Sequence, residues 1–300
     1  MSKLGSVLIL LLALLAAGCG GDDEEPEATP PAQATTAAEE DGCAKDSLDL
    51  ATAGQLTIGT DNPAFPPWFD GGAPKGSEWE INDPATGKGF ESAVAYAVAE
   101  ELGFSKDEVE WTVVPFNQSF KPGSKSFDFD INQISFTDAR AKSVDFSESY
   151  YDVNQALVAL KGTSITDSES LADLKGTKLG AQIGTTSYDY ITENIDPDAR
   201  PSVYDSNADA ISALKAKQID GIVVDLPTAF FVTAVEIENG TIVGQFATMG
   251  EQERFGMVFE KGSSLVECVD EALQALKDDG TLADIQQEWL SDNASAPVLE

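Results

Sequence analysis

The hydrophobic positions of this 300-residue chain follow two different periods, which alternate along the sequence. Apolar residues three or four positions apart predict helices over residues 91–102, 208–217, 265–277 and 282–290. Short alternating or continuous apolar runs predict strands over residues 55–60, 109–114, 127–136, 156–160, 177–183 and 219–224. This mixture of strands and helices predicts an α/β fold with two lobes.

The first apolar run differs from the others because a single basic residue, Lys3, precedes it. It covers residues 7–17, which is well short of the roughly 20 residues that cross a bilayer. It ends at Ala16-Ala17-Gly18-Cys19, which resembles a bacterial lipobox. The pattern therefore predicts a lipoprotein signal peptide over residues 1–18 and a lipid on Cys19. The alternative is an ordinary cleaved signal peptide with an incidental cysteine.

Residues 19–45 show no apolar period. Acidic runs at 22–25 and 39–41 flank a stretch rich in Pro, Ala and Thr. Such a segment buries too little apolar surface to offset the entropy of ordering, so we expect an acidic flexible tether. The folded part would then lie outside the cytoplasmic membrane, in the periplasm or on the cell exterior. Its contact with the membrane would be through the N-terminal lipid only.

The composition excludes several classes of protein. Hydrophobic residues make up 42% of the chain, which is enough for a core and argues against wholesale disorder. The net charge of −34 excludes a protein that binds nucleic acid through a basic surface. The absence of histidine removes Ser-His-Asp and Cys-His catalytic pairs and histidine metal sites. Three cysteines are too few for a four-cysteine zinc site, so we expect neither a metal nor a cofactor.

Cys43 and Cys268 are the cysteines that remain once Cys19 is assigned to the lipid. Cys268 lies on the apolar face of the helix predicted at 265–277, and exported proteins fold where disulfides persist. We therefore predict a disulfide between Cys43 and Cys268, which would tie the start of the folded region to its end. The alternative is two separate thiols, one buried in the helix and one on the tether.

Candidate binding chemistry lies at the ends of predicted strands, where open α/β sheets bind their ligands. The segments there contain an arginine, aspartates, hydroxyl groups, backbone N–H groups and aromatic rings. Arginine pairs with a carboxylate through two hydrogen bonds, and a carboxylate is the natural partner of an ammonium, so this set fits a zwitterion. Spacing alone leaves each residue open to an ordinary structural role. The four segments are 60–68, 132–140, 184–186 and 224–225.

Several stretches, taken together and in order, resemble one protein family. They are LTIGTD (56–61), GFE (89–91), FDFD (127–130), SFTDARAKSVDFSESYY (135–151), LKGTKLG (174–180), GTT (184–186), DGIVVD (220–225) and DGT (279–281). From about residue 55 to residue 290, the chain is similar to the family 3 extracellular solute-binding proteins. These are the periplasmic-type receptors of polar amino acid ABC importers.

The resemblance implies a fold and partners. The expected fold is the α/β periplasmic-binding-protein type II fold, with two lobes joined by two crossover hinge strands. The expected boundaries are 46–155 with 250–291 for lobe 1, 156–249 for lobe 2, and 292–300 for a C-terminal tail. The implied protein is a monomer without enzymatic activity. It binds a free polar amino acid between its lobes and delivers it to the permease subunits of an ABC transporter.

The resemblance also implies which residues bind the ligand. Arg140 and Ser135 would bind the α-carboxylate, together with the backbone amide of Thr186. Asp225, from the other lobe, would bind the α-ammonium. Thr185 is expected beside Thr186, Asp61 at the cleft edge, and Gln133 at the ammonium through its carbonyl. Phe65 and Phe116 would lie on either side of the ligand side chain, with Trp68 as an alternative to Phe65.

Some questions stay open at this point. The loop 70–88 is long, so Trp79 is a further candidate for the pocket, whereas Glu91 is expected to cap its helix. The sequence does not define which amino acid binds. Two other classes of function stay open as alternatives: a cyclohexadienyl or arogenate dehydratase-like enzyme on the same fold, and a sensory or adhesin binding module.

Overall fold

A computed structural model describes residues 42–290 and 296–300. The predicted signal peptide, Cys19 and most of the predicted tether lie outside these residues. The strands are β1 (Leu56–Thr60), β2 (Val109–Val113), β3 (Phe129–Asp130), β4 (Val144–Phe146), β5 (Tyr151–Asp152), β6 (Gln155–Leu160), β7 (Leu179–Gln182), β8 (Ser202–Tyr204), β9 (Gly221–Asp225), β10 (Gly240–Phe246), β11 (Arg254–Phe255), β12 (Val258–Glu260) and β13 (Val298–Leu299). The helices are α1 (Phe90–Glu101), α2 (Phe116–Ser119), α3 (Thr186–Tyr190), α4 (Asn207–Lys215), α5 (Leu226–Phe231), α6 (Leu265–Asp278) and α7 (Thr281–Leu290).

The first sheet has five strands in the order β2-β1-β3-β12-β4. β1 is parallel to β2 and β3, and β12 is antiparallel to β3 and β4. Helices α1, α6 and α7 pack against one another and share one hydrophobic core with β1. Cys268 lies on the buried face of α6 and forms the predicted disulfide with Cys43, which is therefore confirmed.

The second sheet has six strands in the order β13-β10-β6-β9-β7-β8. β6 is antiparallel to both of its neighbours, β10 and β9. Its alternate residues enter two different cores: Ala156 and Val158 pack in one, and Leu157 and Ala159 in the other. The sheet is thus covered on both faces, which explains why β6 has a continuous apolar sequence rather than an alternating one.

Two crossover segments join the sheets. β5 carries the chain from the first sheet to β6, and β11 carries it back from β10 to β12. The two crossovers pair as antiparallel strands, with Tyr151 opposite Phe255 and Asp152 opposite Arg254. The structure therefore confirms the predicted two-lobed α/β fold with two crossover strands.

The C-terminal residues differ from the sequence prediction. We expected a tail over 292–300, but β13 pairs in parallel with β10. The sequence pattern does not predict β10 either, because Gly244 and Gln245 interrupt its apolar run. Gly244 has a packing reason, since a Cβ there would lie 2.7 Å from Cγ of Leu299. The missing side chain gives β13 room to join the sheet.

Within residues 42–290 and 296–300, no helix is both long and hydrophobic enough to cross a membrane. The same residues contain no group of three or more acidic or cysteine side chains that could hold a metal ion.

Candidate ligand-binding site

A cavity of about 300 Å³ lies where the strand ends of the two lobes face each other. Its size suits a small metabolite, since ligand pockets begin at about this volume. Eight of the ten residues expected at the site line it: Asp61, Phe65, Phe116, Gln133, Ser135, Thr185, Thr186 and Asp225. The other lining residues are Asn62, Pro63, Ala64, Phe69, Pro115, Asn117, Asn132, Gln182, Ser187, Asp205, Ser206 and Asn207.

Trp68 is a correction to the sequence prediction, because it lies in the core of the first lobe. Its side chain is 1% exposed and makes edge contacts with Phe90, Tyr151 and Phe255. Its indole N–H donates to the hydroxyl of Thr228 at 3.0 Å, which satisfies its polar atom. Trp68 therefore packs behind the cavity wall, and the aromatic rings that line the cavity are those of other residues.

Trp79 also lies in this core rather than at the cavity. Its side chain is 7% exposed. The long loop 70–88 therefore does not bring this ring to the cavity wall, and the candidate role for Trp79 is not supported.

Gln133 has a left-handed backbone, with φ of +48°. This conformation is uncommon for a residue other than glycine and must be held by its surroundings. The carboxylate of Glu91 does so: it accepts the backbone N–H of Gln133 at 2.6 Å and also its side-chain N–H. β3 ends at Asp130, whereas the predicted strand extended to residue 136. The turn that follows β3 brings Asn132, Gln133 and Ser135 to the cavity. Glu91 thus supports the site from behind, whereas we expected it to cap its helix.

Glu91 is completely buried, and its carboxylate also accepts the hydroxyl of Tyr150 at 2.5 Å. Burial raises the pKa of Glu91 from 4.5 to about 7 despite these hydrogen bonds. The folded protein therefore binds this proton more tightly than the unfolded chain does. The resulting stabilisation is complete below pH 4.5 and is lost as the pH rises to about 7.

Glu91→Gln should reduce this pH dependence because glutamine does not titrate. Between pH 5 and pH 7.5, we expect the free energy of unfolding to fall less in the variant than in the wild type. The difference should be at most on the order of 3 kcal/mol. Urea unfolding at the two pH values measures it. Glu101→Gln, at the exposed end of the same helix, is the matched control. Equal pH dependence in Glu91→Gln and the wild type would contradict the assignment.

Arg140 does not line the cavity. Its guanidinium donates to the carbonyl of Ser135 at 2.6 Å and to the carbonyl of Gly184 at 2.8 Å. It also stacks over the ring of Phe120, 4.4 Å from the centroid. Burial lowers the pKa of Arg140 to about 10, against the opposing effect of nearby carboxylates. Since Ser135 and Gly184 belong to different lobes, Arg140 links the two lobes beside the cavity.

Asp225 ends β9 and faces the cavity. Its carboxylate accepts the side-chain N–H of Gln155 at 2.7 Å. The carbonyl oxygen of Gln155 accepts the hydroxyl of Ser187 at 2.6 Å, which orients the amide group. Burial raises the pKa of Asp225, and the nearby carboxylate of Glu253 raises it further. A cation in the cavity would relieve both effects.

Sequence reasoning missed Glu253, which contacts several site residues. Its carboxylate accepts the hydroxyls of Ser135 at 2.6 Å and Thr186 at 2.5 Å, and the amide of Gln155 at 3.1 Å. Glu253 lies just before β11, far from these partners in sequence. No local pattern marks it as a binding residue.

The cavity wall is acidic. Asp61, Asp205 and Asp225 are the charged side chains among the lining residues that the structure describes. Burial raises the pKa of Asp61, although the backbone N–H groups of Asn62 and Phe116 oppose this effect. Asp205 was also missed, yet it follows β8 and precedes the capped start of α4. The rule that ligands bind at strand ends could have found it.

The sequence matches a model of a known protein family. The model described as bacterial extracellular solute-binding proteins, family 3, matches residues 56–292. The chain belongs to this family. The match covers both lobes and confirms the resemblance inferred from the sequence motifs.

Related proteins are named for different amino acids. This family 3 solute-binding protein is 28% identical over 218 residues to the ABC transporter glutamine-binding protein GlnH of Bacillus subtilis, covering 71% of this chain and 77% of that protein. It is 30% identical to the L-cystine-binding protein TcyJ of Escherichia coli, covering 67% and 73%. It is 30% identical to an L-arginine-binding protein of Pseudomonas aeruginosa, covering 68% and 79%.

Solved structures of the same fold include an ancestral arginine-binding protein bound to arginine. It superposes on this solute-binding protein with a TM-score of 0.64 and 30% identity, covering 79% of this chain and 98% of that one. An ancestral amino acid-binding protein described as a precursor of cyclohexadienyl dehydratase also matches. Its TM-score is 0.64 at 25% identity, covering 79% and 95%.

Proposed function

We propose that this protein is an extracytoplasmic receptor that binds a free amino acid between its lobes and delivers it to an ABC importer. The observation that carries the proposal is the cavity, which Ser135 lines from one lobe and Asp225 from the other. The names of the relatives support it, because they include binding proteins for glutamine, cystine and arginine. A lipid on Cys19 would keep the receptor at the membrane that holds the permease.

The proposed ligand lies across the cavity. Its α-ammonium would pair with Asp225 and the carbonyl of Gln133. Its α-carboxylate would face Ser135 and the N-terminus of α3, where backbone N–H groups favour an anion. Arg140 lies next to this position and would contribute its positive charge.

The charge of the cavity favours a cationic side chain. An α-ammonium neutralises one carboxylate, Asp225, which leaves Asp61 and Asp205 on the cavity wall. Asp61 is half-buried, and burial raises the pKa of its carboxyl, so a second positive charge on the ligand would stabilise its carboxylate and improve binding. We therefore propose a ligand such as arginine, lysine or ornithine.

Binding and closure are coupled in this proposal. A ligand that contacts both lobes binds the closed form better than the open form, and this difference in affinity is what shifts the population. The crossovers β5 and β11 are short and connect the lobes, so they are the proposed hinge. The permease would then recognise the closed receptor.

Calorimetric titration with the twenty amino acids tests the proposal. We expect L-arginine or L-lysine to bind with micromolar or tighter affinity, roughly −8 kcal/mol or better. Asp225→Asn should weaken this binding at least 100-fold because the ammonium loses its charged partner. Asp167→Asn, an exposed aspartate of the same lobe, should leave it unchanged. The proposal fails if no amino acid binds, or if the protein turns over L-arogenate or prephenate.

A further inference from the structure

The carboxylate of Glu253 contacts both lobes at once. One oxygen accepts the hydroxyl of Ser135, which belongs to the five-stranded lobe, and the hydroxyl of Thr186, which begins α3 in the other lobe. The second oxygen accepts the amide of Gln155. Glu253 itself lies on the crossover that leads into β11, so three parts of the protein meet at this carboxylate.

The hydroxyls that Glu253 holds lie at the position proposed for the ligand α-carboxylate. The oxygen atoms of Ser135 and Thr186 are 3.3 Å apart, so a single carboxylate oxygen engages both. A hydroxyl has only one proton to donate. While Glu253 accepts both protons, neither hydroxyl can donate to a ligand carboxylate.

Arg140 also stands outside the cavity wall. Two of its five N–H groups donate to the carbonyls of Ser135 and Gly184, and its side chain does not line the cavity. The charged residues of the described cavity wall are all aspartates. With Glu253 in place, the described cavity wall therefore offers carboxylates to a cation and no positively charged side chain to a carboxylate.

We propose that Glu253 is a built-in competitor of the ligand carboxylate, which holds the two lobes together and selects against α-amino acids relative to the same cations without a carboxylate. The proposal rests on the proposed function, because it concerns the same cavity. An amino acid must displace Glu253 from Ser135 and Thr186 before its carboxylate can bind. An amine or guanidine without a carboxylate binds with Glu253 still in place.

L-arginine and agmatine form the matched pair for a test, because they differ by the carboxylate alone. Calorimetry on the wild type, Glu253→Gln and Glu251→Gln gives the ratio of the two dissociation constants, arginine over agmatine. Glutamine keeps the shape of Glu253, loses its charge and offers an N–H to the ligand carboxylate. We expect the ratio to fall at least tenfold in Glu253→Gln. It should stay within twofold in Glu251→Gln, which makes the same change at an exposed position two residues away.

An unchanged ratio in Glu253→Gln, or a higher one, overturns the proposal, because Glu253 would then support the amino acid rather than compete with it. Small-angle X-ray scattering of the ligand-free proteins is an independent test. We expect a larger radius of gyration for Glu253→Ala than for the wild type and Glu251→Ala. If Glu253→Ala stays as compact as the wild type, Glu253 does not hold the lobes together. This measurement needs no ligand, so it decides the role of Glu253 even if the proposed function fails.

Discussion

Arg140→Ala is expected to weaken binding of an α-amino acid by about 2–5 kcal/mol, which corresponds to roughly 30- to 4,000-fold in dissociation constant. The loss has two physical sources. The ligand carboxylate loses the adjacent positive charge, and the closed form loses the hydrogen bonds from Arg140 to the carbonyls of Ser135 and Gly184. These carbonyls would be left without that partner beside the cavity.

Arg140→Lys separates charge from geometry. Lysine keeps the positive charge but lacks the planar fork that reaches two carbonyls at once, so we expect a substantial loss in this variant as well. Arg200→Ala removes an exposed arginine and is the matched control. Calorimetry with L-arginine measures all three variants. An unchanged affinity in Arg140→Ala would remove Arg140 from the site.

Removal of the Cys43–Cys268 disulfide should have the largest effect on stability. The bridge joins residues separated by 225 positions and therefore closes a loop that contains most of the 300-residue chain in its unfolded state. In the chain-entropy model, a loop of this length contributes up to about 5 kcal/mol to the free energy of unfolding. We expect the Cys43→Ala/Cys268→Ala double variant to lose about 3–5 kcal/mol of this free energy.

Guanidinium unfolding with and without reductant measures this loss. The reductant should destabilise the wild type and leave the double variant unchanged. The double variant thus controls for effects of the reductant other than opening the bridge. A thiol titration establishes that the bridge has opened. If the reduced wild type were as stable as the oxidised protein, the bridge would not contribute to stability.

The site shows where sequence reasoning succeeds. The ends of the predicted strands located Asp61, Ser135, Thr186 and Asp225 in segments that do line the cavity. A strand end is a local feature, since a turn residue follows a short apolar run. The expectation for Trp68 was wrong for the opposite reason. A tryptophan in a Pro-rich loop has no local signal that separates a ring facing a cavity from one packed in the core.

By itself, the sequence determined the α/β class, the two lobes, the family and most of the segments that meet at the cavity, because periodicity, turn residues and ordered motifs are local properties. Only the tertiary structure decided that Arg140 turns to two backbone carbonyls, that Glu91 holds Gln133 in its left-handed conformation, and that Glu253 occupies the hydroxyls of Ser135 and Thr186. Arg140 and Ser135 are close in the chain, but the contacts of Arg140 with Gly184, of Glu91 with Gln133 and of Glu253 with Ser135 join residues that are distant in the chain or in different lobes. Their partners are chosen by the packing of the two lobes, which the local pattern of hydrophobic and polar residues does not specify.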